Sequence, residues 1–376
     1  MPAGFPRNLA GFSYPEVALN RGGRYGRGVR TFLEITDVAF GGKAVGRLDD
    51  GRVCFVPDAL PGERVEVQIV RQTKRFVEAT LVRVLEASPH RVKPPCPYYG
   101  VCGGCVYQHV SYETQVGLKK NQVAQVLQRL GGVKNPLVRE AIPSPLPYGY
   151  RNRITVHRRA GRIGFHRRDG RGLVDIEACL LASDAVNALL AGLRREPFRE
   201  GARTLREHRE RQGFHQTNDA VAKQLLEVVE EACEGGEILV DAFCGDGFFA
   251  RHLAGKFRRV IGIEWNPRSI EQARRLAPEN VAFVEGDVTE QLAAVLESLS
   301  GKGTVILDPP AQGVDARVID ILRTSEVANI VYVSCNPATL ARDIKLLGFD
   351  LAAVTPLDMF PQTAEVEVVA VLRRSA

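Results

Sequence analysis

The sequence predicts an α/β fold for the C-terminal part of the chain, preceded by a small β-barrel and a small basic α+β domain. One observation is a run of β-branched and aromatic residues at 330–333, which predicts a buried strand. This strand leads to Asn336 and Pro337, an N-cap and a proline suited to the first helical position. A second strand, 237–243, leads into a glycine-containing turn, and the next strand, 260–264, ends in an acid. Strands that alternate with helices in this way form open sheets, which bind ligands at the carboxyl ends of their strands.

The composition is that of an ordinary soluble protein. The chain has 376 residues, enough for two or three domains, of which 45% are apolar and 25% charged. No apolar run approaches the length that spans a bilayer, and the N-terminus lacks the apolar core of a signal peptide. We therefore expect a cytoplasmic protein without a membrane contact.

The net charge of +6 is unevenly distributed along the chain. Residues 91–216 carry +12, whereas residues 217–376 carry −9. This asymmetry predicts that the middle of the chain holds a polyanion and that the acidic C-terminal part performs chemistry. A basic surface without a partner is the alternative that charge alone leaves open. Residues 1–30, rich in glycine and arginine, predict a disordered basic tail that either follows phosphates or has no function.

Residues 31–88 predict the small β-barrel, because short alternating runs are separated by glycine and proline turns. Within this region, residues 40–70 resemble the TRAM domain, an OB-like RNA-binding barrel attached to RNA-modifying enzymes. The resemblance implies contacts with RNA. Since the barrel is nearly neutral overall, we expect these contacts to be local, at Arg71, Lys74 and Arg75.

Three cysteines, Cys96, Cys102 and Cys105, lie close together, with glycines that let the backbone wrap around a metal. Cys179 is the candidate for a fourth ligand, and disulfides are not expected in the cytosol. The spacing alone leaves zinc and an iron–sulfur cluster both open. A C-x5-C-x2-C run with a distant fourth cysteine resembles the 4Fe–4S site of the RNA uracil-5 methyltransferases. The resemblance implies that these four cysteines hold one 4Fe–4S cluster.

The remainder of residues 89–215 predicts a helix at 111–130 and a basic β region at 154–168. We expect this helix to pack on the catalytic domain. Arginines alternate with apolar residues in the β region, which predicts a sheet that faces RNA. The preceding residues, 150–153, resemble a motif of the same family. The distance from Cys179 to the next family motif is short, which indicates a trimmed central domain.

Residues 216–376 carry the pattern of a nucleotide-binding domain. Glycines after the first strand admit a ligand close to the backbone, and Glu264 is suited to accept ribose hydroxyl groups. Together with Asp287 and Asp308-Pro309-Pro310, this set resembles a Rossmann-like S-adenosylmethionine-dependent methyltransferase and not a dehydrogenase. The resemblance implies that the cofactor is held by Gln216, Phe243, Gly245, Glu264, Asp287 and Asp308.

Two further stretches identify the chain as similar to the RNA uracil-5 methyltransferases. Residues 333–343 resemble the nucleophile motif around Cys335, and residues 358–367 resemble the motif that ends in the general base, here Glu367. Glu365 stands where the family has a histidine. A cysteine considered alone is more often structural, but the position of Cys335 before a helix N-terminus predicts a thiolate of low pKa.

The implied function is methylation of carbon 5 of a uridine in ribosomal or transfer RNA by a monomeric enzyme. A thiolate that adds to carbon 6 of uracil makes carbon 5 nucleophilic, and a carboxylate must then remove the carbon-5 proton. One alternative is an exocyclic-amine RNA methyltransferase, which would use Asp308-Pro309-Pro310 and would not need Cys335. The other alternative is a non-catalytic RNA-binding protein with a vestigial cofactor pocket.

Overall fold

The computed structural model describes residues 28–197, 199–207, 216–298 and 303–374. These residues form a closed five-stranded barrel, a four-stranded sheet and a seven-stranded sheet. Most of the predicted basic tail lies outside the described residues. Phe214 and His215, which begin the family motif 214–218 that follows Cys179 in the chain, also lie outside them.

The barrel at the N-terminus closes through pairing of its first and fourth strands. Its interior is filled by side chains such as Leu33, Val56 and Val77, each at most 3% exposed. The second strand was not predicted, because its four residues between two turns are too few to show alternation. The strands are β1 (Arg30–Val38), β2 (Ala44–Arg47), β3 (Val53–Val56), β4 (Arg64–Gln72) and β5 (Phe76–Glu86), arranged in the order β1-β2-β3-β5-β4.

The four-stranded sheet is antiparallel and has one apolar face, which is covered by a helix. That helix begins at the N-cap Ser183, whose side chain accepts a hydrogen bond from the Val186 amide. Its residues Val186, Leu190 and Leu193 pack on the sheet at helical spacing. In chain order the elements between the barrel and the seven-stranded sheet are α1 (Tyr112–Arg129), β6 (Arg153–Arg159), β7 (Arg162–His166), β8 (Leu173–Asp175), α2 (Asp184–Arg195) and β9 (Gly201–Arg206). Strands β6 to β9 form the four-stranded sheet, and α2 is the helix that covers it.

Helix α1 corresponds to the helix predicted at 111–130, and it lies between the barrel and the seven-stranded sheet. Leu118 belongs to the core of the barrel. Val123 and Leu127 instead enter the core of the seven-stranded sheet, where both are fully buried. The helix therefore contributes side chains to two hydrophobic cores at once.

The seven-stranded sheet is an open α/β sheet in which all strands except the last one in the chain run parallel. Consecutive residues of its first strand, Leu239 and Val240, enter cores on opposite faces of the sheet. The elements are α3 (Asp219–Ala232), β10 (Gly236–Ala242), α4 (Phe248–His252), β11 (Phe257–Glu264), α5 (Pro267–Arg275), β12 (Val281–Glu285), α6 (Val288–Glu297), β13 (Thr304–Leu307), α7 (Ala316–Thr324), β14 (Asn329–Ser334), α8 (Pro337–Leu347), β15 (Asp350–Leu357) and β16 (Glu367–Arg373).

The strand order β12-β11-β10-β13-β14-β16-β15 determines where a ligand can bind. The chain winds outward from β10 to β12 in one direction, and from β13 onward in the other. A crevice therefore opens at the carboxyl ends of β10 and β13, where the winding reverses. Within the described part of the chain, the helices lack the length and apolarity that crossing a bilayer requires.

Candidate active site

Cys335 lies directly after β14 and directly before α8, at the carboxyl edge of the sheet. The Asn336 side chain caps α8 by accepting a hydrogen bond from the Ala338 amide at 3.1 Å, and Pro337 is the first helical residue. Asn336 also donates to the carbonyl oxygen of Ala311 at 3.0 Å, which ties the loop after β13 to this helix. The predicted placement between strand and helix is thus confirmed, and the thiol is half-buried.

The prediction of a low pKa for Cys335 is wrong. Burial raises the pKa of this thiol to about 11, and the negative charges of Glu367 and Asp308 act in the same direction. A single helix N-terminus favours the thiolate too weakly to offset these effects. Cys335 is therefore a thiol in the free protein at neutral pH, and it can act as a nucleophile only after losing its proton.

Glu367 is the first residue of β16 and pairs with Leu357 of β15. It is 4% exposed, and burial raises the pKa of its carboxyl group well above the ordinary value. The charges of Asp308 and Glu365 raise this pKa further. Ser334 of β14 pairs with Val368 of β16, so the adjoining residues Cys335 and Glu367 lie at the same end of two neighbouring strands, and the structure brings the two predicted catalytic residues together. A buried carboxylate of raised pKa is suited to proton transfer near neutral pH.

The turn after β10 has an unusual backbone. Phe243 and Gly245 both adopt left-handed conformations, with φ of +67° and +56°. This conformation costs a residue such as Phe243 about 1–2 kcal/mol, and such strain is concentrated at functional sites. A Cβ atom placed on Gly245 would meet no atom within 4 Å, so open space borders the backbone there. The turn can therefore accept a ligand directly against its main chain.

Glu264, at the end of β11, faces this turn. One of its carboxylate oxygens accepts a hydrogen bond from the Gly245 amide at 3.1 Å, and the other from the Asn266 amide at 2.8 Å. These two bonds fix the carboxylate, and each oxygen keeps a lone pair for a further donor. The group is therefore arranged to accept hydroxyl groups of a ligand that lies over Gly245.

Two further predicted residues follow β12 and β13, the strands on either side of the pair β11 and β10. Asp287 follows β12 and caps α6, where hydrogen bonds from the hydroxyl and amide of Thr289 lower the pKa of its carboxyl group. Asp308 follows β13, and burial raises its pKa to about 7. Gln216 lies just before α3, where its carbonyl oxygen accepts a hydrogen bond from the Asn152 side chain at 2.9 Å.

Asp241 in β10 was not predicted, although an acid in an apolar strand just before a glycine turn is a usable signal. It is fully buried, and one carboxylate oxygen accepts a hydrogen bond from the Ala250 amide at 2.9 Å. The other oxygen has no hydrogen-bond partner in the described part of the chain. Burial raises the pKa of this carboxyl group to about 8. Asp241 thus holds α4 against the turn that carries Gly245.

The four candidate metal ligands, Cys96, Cys102, Cys105 and Cys179, line one cavity of about 500 Å³. All four are free thiols, and burial raises the pKa of Cys105 to about 12, with smaller contributions from the other cysteines. In the described residues no three potential ligands are close enough to hold a metal ion in this conformation. The structure thus brings Cys179 to the same cavity as the other three cysteines.

The same cavity extends to the loop that precedes β16 and leads to Glu367. Its wall includes Arg151 and Glu365, whose charged groups are 3.9 Å apart. The guanidinium of Arg151 lies over the rings of Tyr150 and Phe360, 5.7 Å from each centroid. Glu365 precedes Glu367 by two residues, so the wall of the cysteine cavity reaches the segment that leads to Glu367.

A network that was not predicted joins the barrel, the segment 96–107 (the cysteine loop) and the four-stranded sheet. Arg168 donates to the side chain of Asp58 at 2.6 Å and to the carbonyl oxygen of Cys105 at 2.8 Å. The Tyr99 hydroxyl lies 3.0 Å from Asp58 Oδ1 and 2.6 Å from His109 Nδ1. Burial lowers the pKa of His109 to about 4, so this ring is neutral. The cysteine loop is therefore anchored on both sides.

Known protein families match three parts of the chain. The TRAM domain matches residues 31–82, a methyltransferase domain matches residues 239–301, and the tRNA (Uracil-5-)-methyltransferase family matches residues 290–375. The first of these matches covers the observed barrel. The other two together cover most of the seven-stranded sheet, including the segments around Cys335 and Glu367.

Relatives match along almost the whole chain. An uncharacterised RNA methyltransferase of Gloeobacter violaceus is 32% identical over 93% of this chain and 97% of its own length. Another of Bdellovibrio bacteriovorus is 31% identical over 92% of this chain and 95% of its own length. The crystal structure of Pyrococcus abyssi tRNA (uracil-54, C5)-methyltransferase in complex with S-adenosyl-L-homocysteine is similar, with a TM-score of 0.68 and 26% identity. That similarity covers 91% of this chain and 100% of the other.

Proposed function

The chain belongs to the RNA methyltransferases of the uracil-5 family, and on that premise we propose that it methylates carbon 5 of one uridine in transfer or ribosomal RNA. Its Rossmann-like methyltransferase fold and its N-terminal TRAM barrel are those of a methyltransferase that acts on RNA. The observation that carries the proposal is the placement of Cys335 beside the buried Glu367, at the adjoining ends of the paired strands β14 and β16. Both groups lie at the sheet edge where the cofactor crevice opens.

The residues of the crevice fit S-adenosylmethionine. Open space borders the backbone at Gly245, and the fixed carboxylate of Glu264 faces that space with lone pairs for the two ribose hydroxyls. Phe243, Asp287, Asp308 and Gln216 complete the proposed cofactor contacts. When bound, S-adenosylmethionine supplies an electrophilic methyl group on a positively charged sulfur.

We assign Cys335 as the nucleophile. Once its thiol has lost its proton, the sulfur forms a bond with carbon 6 of uracil, and the electron pair of the carbon 5–carbon 6 double bond moves to carbon 5 and its carbonyl neighbour. Carbon 5 would then form a bond with the methyl group, and the bond between that methyl and the positively charged sulfur would break, leaving its electron pair on that sulfur. Because this carbon lies inside the stack in a helix, we expect the target uridine to lie in a loop or to be flipped out.

We assign Glu367 as the base that completes the reaction. Its carboxylate removes the proton from carbon 5, the electrons of that bond restore the double bond to carbon 6, and the bond to sulfur breaks. Cys335 leaves as a thiolate, and transfer of the proton from Glu367 to this thiolate returns the enzyme to its starting state. An amine methyltransferase would have no use for a thiol beside a buried carboxylate, which favours carbon 5 over the alternative of an exocyclic amine.

For the cysteine cavity we propose one 4Fe–4S cluster held by Cys96, Cys102, Cys105 and Cys179. Four free thiols on one cavity wall are a suitable ligand set, and a cluster accepts a wider separation of thiolates than a zinc ion does. Zinc stays the alternative. Methyl transfer is polar and needs no electron, so the expected role is structural: fixing the RNA surface relative to Cys335.

The experiment that tests the function is a map of 5-methyluridine in RNA from cells with and without this protein. Mass spectrometry of transfer and ribosomal RNA should show one position that loses its methyl group in the deletion strain and regains it on complementation. The map would also identify the RNA class and the uridine. Unchanged 5-methyluridine at every position, with loss of an N-methylated base instead, would support the amine alternative.

A further inference from the structure

Helix α1 carries a row of buried polar side chains that the reaction does not use directly. Gln115, Lys119 and Gln122 lie at spacings of four and three residues, so they share one face of the helix. Each of the three is at most 1% exposed. Burial of polar groups costs free energy unless hydrogen bonds replace water, so the partners of this polar row should identify its role.

One end of the polar row holds the barrel. The Gln122 amide nitrogen lies 3.2 Å from the carbonyl oxygens of Val38 and Ala39, which follow one another at the end of β1. It also lies 2.7 Å from the hydroxyl of Tyr107 in the segment after the cysteines. Gln122 therefore attaches α1 to the N-terminal half of the protein.

The other end of the row holds the loop 358–366, which connects β15 to β16 and ends at Glu367. Gln115 and Gln362 form a reciprocal pair: the Gln115 amide donates to the Gln362 side chain at 3.0 Å, and the Gln362 backbone amide donates back at 3.1 Å. Lys119 donates to Asp358 at 2.5 Å and to the carbonyl oxygen of Phe360 at 3.0 Å. Both bonds of Lys119 thus fix the first turn of this loop.

The loop has an irregular backbone that depends on these contacts. Gln362 is 2% exposed and adopts a left-handed conformation with φ of +70°, which a side-chain-bearing residue adopts only when its surroundings impose it. Four successive carbonyl oxygens of the loop, those of residues 359–362, accept hydrogen bonds from earlier parts of the chain. The donors are, in that order, Asn218, Lys119, Tyr150 and the backbone amides of Val106 and Tyr107.

We propose that Gln115 and Lys119 are positioning residues for Glu367, holding the loop so that the carboxylate meets carbon 5 of the bound uracil. The inference rests on the proposed function, because it assumes that Glu367 removes the carbon-5 proton. A general base acts only within hydrogen-bond reach of the proton it removes, and a displacement of about 1 Å can cost on the order of 100-fold in rate. The polar row therefore makes the barrel side of the molecule part of the catalytic framework.

The test compares Gln115→Met with Gln122→Met. Both substitutions remove one equally buried amide from the same helix face, but only the first removes direct hydrogen bonds to the loop. Gln115→Met should lower kcat about 10- to 100-fold, leave RNA and S-adenosylmethionine affinities within about twofold, and let a covalent protein–RNA adduct accumulate on denaturing gels. Gln122→Met should show a similar loss of thermal stability with kcat near wild type and no adduct.

A conservative variant separates positioning from general damage. Gln115→Glu keeps an oxygen that accepts the Gln362 backbone amide, so it should recover part of the rate that Gln115→Met loses. If the Met variant does not fold, Gln362→Gly removes the side-chain acceptor of this pair, keeps the backbone amide that donates to Gln115 and tolerates the left-handed conformation. This variant should accumulate the same adduct with a smaller loss of kcat. Equal kcat and no adduct in the Gln115 and Gln362 variants would overturn the inference while wild-type methylation still supports the function. Absence of 5-methyluridine formation by wild type would reject the function itself.

Discussion

At the scale of single residues, the thiol of Cys335 responds to two opposing influences. The N-terminus of α8 favours the thiolate, while burial and the carboxylates of Glu367 and Asp308 favour the thiol. The second set of influences is stronger, and the pKa rises to about 11. The sequence shows only the first influence, since the helix start is local whereas the carboxylates come from β13 and β16. A nucleophile can thus be located from sequence when its pKa cannot.

The raised pKa predicts the pH dependence of adduct formation. Below about pH 11 the thiolate fraction of Cys335 rises about tenfold per pH unit, so the rate should rise with pH from neutral upward. Deprotonation of Glu367 is needed only for the later removal of the carbon-5 proton, so it is not a step in adduct formation. The measurement is the rate of adduct formation with fluorouridine-containing RNA between pH 6 and 9. Over this range the rate should rise by about three orders of magnitude. Glu367→Gln removes a negative charge, so its profile should move to lower pH; a profile that falls with pH contradicts this account.

Cys335→Ala should abolish methylation while RNA and S-adenosylmethionine still bind. The substitution removes only the sulfur that forms the bond to carbon 6. Wild type should form a covalent adduct with fluorouridine-containing RNA, because fluorine on carbon 5 cannot leave as a proton does. Cys54→Ala, which changes a fully buried cysteine in the barrel, is the matched control and should keep both activities. Methylation by Cys335→Ala would disprove covalent catalysis.

Glu367→Gln should stall the reaction after methyl transfer, because the carbon-5 proton then lacks an acceptor. A covalent protein–RNA species should accumulate with ordinary RNA, visible as a slower band on a denaturing gel. Glu365→Gln is the matched control two residues away, and its exposed side chain predicts turnover without adduct. Adduct in the Glu365 variant and turnover in the Glu367 variant would transfer the role of base to Glu365.

At the scale of elements, what is local in the chain was predictable and what depends on tertiary partners was not. Strands of the open sheet appear as continuous apolar runs, and Asn336-Pro337 marks the start of α8. The helix at 111–130 was predicted from its apolar residues, yet the burial of its polar row was not. Glutamine and lysine on a helix are normally exposed, and only their partners in distant segments show otherwise.

The turn after β10 gives a prediction at this scale. Gly245→Ala should weaken S-adenosylmethionine binding about tenfold or more, because the added methyl occupies the open space beside the backbone and strains a residue with φ of +56°. Gly51→Ala, in a barrel turn with φ of +82° and equally open space, is the matched control. Both variants should lose about 1 kcal/mol of stability. Calorimetry should then find weaker cofactor binding in the Gly245 variant alone; equal affinities would show that the ligand lies elsewhere.

At the scale of the whole molecule, the cysteine loop lies where three substructures meet. Its neighbours are Asp58 of the barrel, Arg168 in the loop that joins β7 to β8, and Gln362 in the loop 358–366. The division of charge between the basic middle and the acidic C-terminal part was visible in the sequence. The convergence of these parts on one loop was not, because each contact joins residues far apart in the chain.

Cys102→Ser should therefore reduce solubility and RNA affinity more than cofactor affinity. Loss of one thiolate loosens the loop that orients the basic sheet, whereas the crevice at Gly245 lies on another part of the molecule. Filter binding measures RNA affinity, and calorimetry measures cofactor affinity. Elemental analysis of wild type purified without oxygen should find four irons per chain, the content of one 4Fe–4S cluster; stoichiometric zinc without iron would reject the cluster and leave a structural zinc site.

The position of α1 between two cores has a consequence for how the chain is synthesised. Gln115 leaves the ribosome 247 residues before Gln362, its partner in the loop 358–366. The partner of Lys119, Asp358, is also synthesised late. The side chains of the nascent helix that face the seven-stranded sheet and the loop 358–366 therefore stay exposed until synthesis is nearly complete. Translation that pauses or stops before β15 should leave α1 open to chaperones and proteases. Splitting the gene between β9 and α3 should yield two halves that become soluble only when they are produced together.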